Sequence, residues 1–84
     1  MKEVILMRKK IEDILSETIP GIDLNCETMI DTGYISSLIL INLISELDIE
    51  FDIEIPFTEL KTDNFNSVDA IEALVEKMIK SRRN

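Results

Sequence analysis

Histidine and tryptophan are missing from this sequence altogether, and cysteine occurs once, as Cys26. Without histidine there is no imidazole to act as a general base near neutral pH or to ligate a metal. A single thiol closes neither an intramolecular disulfide nor a thiolate metal cage. It suits a reducing compartment, with Cys26 read as a small, half-buried filler in a loop. The chain thus lacks the parts of a self-contained hydrolase or a zinc protein. Aromatic residues are also scarce, one Tyr and three Phe, so the core must be built from aliphatic side chains. The longest uninterrupted apolar runs, Val4 to Met7 and Leu38 to Ile41, are too short for a membrane span or a signal peptide. A soluble, cytoplasmic protein is expected.

Positive charge is nearly absent from the middle of the chain. Between Ile11 and Glu76 stand 16 acidic residues and one base, Lys61; the other bases are Lys2, Arg8, Lys9 and Lys10 at one end and Lys77, Lys80, Arg82 and Arg83 at the other. With a net charge of −8, such a chain repels nucleic acid and attracts a partner with a basic face, although acids spread this way also serve solubility alone.

What is present is 84 residues, 45% hydrophobic and 31% charged, the size and composition of one small domain spanning 1–84. Val4, Met7, Ile11, Ile14, Leu15 and Thr18 recur at spacings of three and four, which predicts an amphipathic helix from Lys2 to Thr18 that stops at Pro20-Gly21. From Gly21 to Ile35 no period is sustained. Turn formers alternate with Ile22, Leu24, Met29 and Ile30, so a loop of about fifteen residues must fold its apolar side chains over the core.

A second helix is predicted from Ser37 to Phe51, with Ser36 as its N-cap and a buried stripe of Ile41, Ile44, Leu47 and Phe51, flanked by Leu40 and Leu43. Ile39 and Ile49 fall off this stripe, so one or both should be exposed. The alternation from Ile49 to Ile55 is the local argument for a strand, but no partner strand is in view. Pro56 ends the region, and Phe57 to Lys61 could form one helical turn. Asn66, with Asp69 as an imperfect capping box, is expected to cap a last helix whose apolar face is Val68, Ile71, Leu74, Val75, Met78 and Ile79. The expected fold is all-α, a small antiparallel bundle of three to four helices with a long loop between the first two.

The chemistry gathers at Ser36-Ser37, where a glycine-containing loop enters the second helix. A hydroxyl there faces unpaired backbone N–H groups and the positive end of a helix dipole, surroundings that suit a phosphate. With no histidine to activate it, Ser37 is better placed to receive a phosphate from another enzyme than to act as a nucleophile of its own. Chemistry alone leaves open a plainer reading, a capping serine with a bystander beside it.

The run Gly33-Tyr34-Ile35-Ser36-Ser37-Leu38, continued by Leu43, Leu47, Glu50, Phe51 and Ile53-Glu54-Ile55-Pro56, resembles the acyl carrier protein family. That family has an Asp-Ser-Leu box, a helix ending in an acidic-Phe segment, and a Glu-Ile-Pro-like stop. The register from Ser37 to Pro56 needs no gap, and Phe65-Asn66-Ser67-Val68 is similar to the start of the family's last helix. The resemblance implies a non-catalytic carrier. A phosphopantetheinyl transferase would attach 4′-phosphopantetheine, derived from coenzyme A, to Ser37. A ligase or transferase would then load an acyl or aminoacyl group on the arm as a thioester, and downstream biosynthetic enzymes would use it. A monomer is expected.

Two positions depart from the family. Its Asp before the modified serine is Ser36 here, which keeps the cap and loses a carboxylate that helps the transferase dock and bind metal. This departure sustains a second reading, an interaction module of the same fold that has lost the prosthetic group. The helix after the box carries Ile39, Asn42 and Ile49 where fatty-acid carriers present acids, leaving Glu46, Asp48 and Glu50. The partner surface implied is therefore Leu38, Ile39, Glu46, Asp48 and Glu50, less purely electrostatic than in fatty-acid carriers. That points to a specialised pathway.

Overall fold

The computed structural model describes residues 2–82, with side chains from Leu6 onward. Among these residues all regular structure is helical: α1 (Lys2–Thr18), α2 (Ser37–Phe51), a 3-10 turn (Phe57–Glu59), α3 (Thr62–Phe65) and α4 (Val68–Arg82). The alternation at Ile49–Ile55 does not become a strand. Its first residues finish α2, and Asp52 then takes a left-handed conformation (φ 53°) while its N–H donates to the Asp48 carbonyl.

α1 packs on α2 and α4, and α3 packs on α4. On α1 the predicted stripe faces inward: Ile11 and Leu15 are fully buried, Ile14 nearly so, and Met7 lies against the core; the side chain of Val4 is outside the described residues. α4 buries Val68, Ile71, Leu74, Val75 and Met78, with Ile79 packed alongside. Lys80 and Arg82 occupy its last turn, where the dipole favours cations, and Arg83 is outside the described residues. Among the described residues the core carries no buried polar or charged residue.

The long loop joins this core through Met29 and Ile35, both buried. Gly33 adopts φ +89°, a conformation that a side chain would strain, and reverses the chain just before Ile35. The loop is tied down by Asn66, whose backbone carbonyl accepts from Met29 N–H and whose Oδ1 accepts from Ile30 N–H, both at 2.9 Å. Asn66 is thus not the N-cap of the last helix. Ser67 is: its Oγ accepts from Ala70 N–H at 3.1 Å. Nor does Asp69 close a capping box, because its carboxylate pairs with Arg8 at 2.6 Å. α3 was not expected. It brings Phe65, fully buried, under the core from a segment too short to show a period.

The inward stripe of α2 also differs from expectation. Leu43 and Leu47 are its fully buried residues, whereas Ile41 is 61% exposed and Ile44 only half-buried. With so many aliphatic residues on one helix, two overlapping stripes fit the same period. The core selects the one centred on Leu43 and Leu47.

Candidate functional site

The buried side chain of Ile35 fixes the chain immediately before α2. Ser36 then adopts extended geometry (φ −83°, ψ 174°) as N-cap, and its Oγ accepts a long hydrogen bond, 3.4 Å, from Ile39 N–H. The capping role read from sequence is therefore present. Ser37 is the first residue of the helix and is exposed; among the described residues its hydroxyl makes no hydrogen bond. No acidic residue lies in the first turn of α2, so nothing there opposes the positive end of the dipole.

Ile41 and Ile44 follow Ser37 at i+4 and i+7, on the same side of the helix. They form one wall of an open apolar groove of about 290 Å³, completed by Ile55, Phe57 and Leu60. The groove thus begins one turn below the serine. Phe57, 90% exposed on the 3-10 turn, is not marked as a surface feature by any periodicity; its place straight after Pro56 is the available signal.

The remaining residues of the expected partner surface divide sharply. Leu38 is 76% exposed beside Ser37. Ile39 is half-buried and packs on the core, whereas Ile41, one turn after Ser37, is exposed. Asp48 works inside the fold: its Oδ1 accepts from Ile55 N–H at 3.1 Å, and its backbone carbonyl accepts from Ile53 N–H at 3.1 Å. Glu50 bridges to Lys10 of α1 at 3.3 Å. Glu46 is exposed, with no ion pair among the described residues.

Away from this end, Cys26 is half-buried in the loop, as its reading as a filler requires. The Thr28 backbone N–H donates to its Sγ at 3.4 Å and draws the thiol pKa below its ordinary value. Arg8 gathers Asp69, Glu72 and Glu12, joining α1 to the start of α4. Among the described residues no group of histidine, cysteine and acidic side chains is placed to hold a metal ion, and no helix is long and apolar enough to cross a membrane.

No family model matches the chain, and no solved structure matches it. Among curated proteins it is similar to Aminoacyl carrier protein 1 of Bradyrhizobium diazoefficiens, 31% identical over 68 residues that make up 80% of this chain and 74% of that protein.

Proposed function

Because this chain belongs to the carrier-protein family, we propose that its 84 residues act as one cytoplasmic carrier domain with a 4′-phosphopantetheine arm on Ser37. The observation that carries the reading is the Ser37 hydroxyl itself, exposed and unpaired among the described residues at the N-terminus of a fifteen-residue helix. These surroundings fit a phosphodiester. The first turn offers N–H groups that no side chain caps, other than that of Ile39, and no carboxylate to repel an anion. When attached, the arm supplies a terminal thiol that holds the cargo as a thioester.

The chain's own residues have limited duties. Ser37 Oγ would form the new bond to the phosphopantetheine phosphorus of coenzyme A as the pyrophosphate bond breaks and adenosine 3′,5′-bisphosphate leaves, and its proton would pass to the transferase, since neither histidine nor a first-turn acid is at hand to take it. Ser36 holds the helix start. The groove of Ile41, Ile44, Ile55, Phe57 and Leu60 offers an apolar surface to the carried group on the side of the serine. Loading by an acyl or aminoacyl ligase or transferase, and use by downstream biosynthetic enzymes, complete the role.

Intact mass after incubation with coenzyme A and a broad-specificity phosphopantetheinyl transferase tests the proposal. One phosphopantetheine should be gained by the wild type and by Ser36→Ala, and none by Ser37→Ala. Ser36→Asp, which restores the family's carboxylate, should accelerate the gain. Ser36 is also what favours the second reading, an interaction module without the arm. Failure of the wild type to take up the group with any transferase, its host's included, would establish that reading instead.

A further inference from the structure

Between α2 and α3 the chain runs from Ile53 to Lys61 as a strap whose two ends are fastened in different ways. At the α2 end the ties are internal to a short stretch of chain. Asp48 accepts from Ile53 N–H through its backbone carbonyl and from Ile55 N–H through Oδ1, each at 3.1 Å, and the Ile55 side chain is buried. Beyond Ile55 no residue is buried until Phe65. Among the described residues the polar hold of α4 on this stretch is one contact, the Lys77 ammonium donating to Glu59 Oε2 at 2.7 Å. The Lys77 side chain is 59% exposed and that of Glu59 only 15%, so a largely covered carboxylate depends on a counter-ion that water and salt reach freely.

A carboxylate so covered is stable while it is paired and hydrogen-bonded. Without Lys77, Glu59 keeps Asn64, which donates to its Oε1 at 3.2 Å and to its backbone carbonyl at 2.7 Å, but loses the ion pair. Its charge is then better solvated in open water. Moving it there lifts the 3-10 turn with it, at the cost of uncovering the half-buried Leu60.

We propose that the strap is a latched device: it turns about Asp48 and Ile55 and is released at Glu59 when Lys77 lets go, so that ionic strength sets how far the apolar groove stands open. Ile55, Phe57 and Leu60 of the groove belong to the strap, while Ile41 and Ile44 stay on α2. Opening therefore draws Phe57 and Leu60 away from the α2 wall and leaves Ile55 in place. Salt acts on one end more than the other. The Lys77 pair reaches across from α4 through solvent and is screened, the Debye length being about 3 Å at 1 M, whereas the α2 end is held by backbone bonds and burial.

The test follows amide hydrogen exchange in the full chain, residue by residue, at about 0.05 and 1 M NaCl, each rate taken against that of the unfolded chain. In the wild type the Glu59 and Leu60 amides, bonded to the carbonyls of Pro56 and Phe57, should lose protection by about threefold or more at high salt, while those of Leu43, Leu47 and Leu74 hold steady. Lys77→Gln should show the same loss at low salt and respond little to further salt. Lys77→Arg should restore the wild-type behaviour. Unchanged protection of the strap in Lys77→Gln, a loss shared equally by α1 and α4, or a Lys77→Gln variant as salt-sensitive as the wild type would each overturn the latch. Ser37 takes no part in this, so such a result would leave the proposed function standing.

Discussion

α2 and α4 are equally long, fifteen residues each, and both carry ample apolar side chains, yet they place them differently. α4 turns Val68, Ile71, Leu74, Val75 and Met78 into the core and presents its charges to water or to ion pairs, Lys77 with Glu59 among them. α2 commits Leu43 and Leu47 fully to the core and leaves Leu38, Ile41 and Ile49 in solvent. Folding explains the sequence of α4 almost residue by residue. It explains only one side of α2, and the unexplained side begins at Ser37.

Truncating matched side chains separates the two helices most strongly. Ile71→Ala, at a fully buried position of α4, should lower the unfolding free energy by about 2–5 kcal/mol, whereas Ile49→Ala on α2 should change it by less than about 0.5 kcal/mol. Chemical denaturation measures both, and equal losses would erase the contrast. A smaller effect is expected where the long loop meets the entry to α4. Asn66→Ala leaves Ile30 N–H without its acceptor and should cost about 1–3 kcal/mol, and Asn66→Asp, which keeps an acceptor oxygen, should recover part of it. Recovery by Asn66→Asp sharpens the view that α4 and its approach hold the fold; a silent Asn66→Ala breaks it.

The smallest effect is a pH dependence at the 3-10 turn. The Lys77 ammonium donates to Glu59 Oε2 at 2.7 Å and holds that carboxyl below its ordinary value, with Asn64 assisting. Because the folded pKa is the lower one, the contribution of Glu59 to stability is complete above the unfolded value of about 4.3 and disappears as pH falls through the folded value. The midpoint difference between wild type and Glu59→Gln should therefore be greatest near neutral pH and vanish in strong acid. A difference that persists in acid would assign the effect to packing.

The helix boundaries of α1 and α2 and the inward face of α4 were legible because spacing, Pro20-Gly21 and Ser36 all pointed the same way. Three features were not, each for a local reason. α3 is four residues long, shorter than any window in which a period can be counted. Asn66 has the chemistry of a cap, but the adjacent Ser67 has it too, and only the position of Met29 and Ile30 in space decides which of them turns to the loop. On α2 the abundance of isoleucine and leucine supports more than one stripe, and the pattern that predicts Ile41 inside is not the one the core selects. At the site, Ser36 and Ser37 were legible as a cap and its exposed neighbour. The internal duties of Asp48 and Glu50 depend on chain reversals that no linear pattern records.

The two ends of α2 are anchored unequally. At its far end Arg82 Nη1 donates to the carbonyls of Phe51, at 2.6 Å, and Asp52, while Asp48 fastens the segment that leaves the helix. At the near end the side-chain hydrogen bonding among the described residues is one long bond to the Ser36 cap, and Ile35 and Ile39 hold the chain by packing against the core. The helix is thus tied by polar contacts at Asp52 and chiefly by apolar packing on either side of Ser37. Any group joined to the exposed Ser37 hydroxyl would therefore act on the end of the helix with the fewer polar ties, while those at Asp52 keep the far end in register.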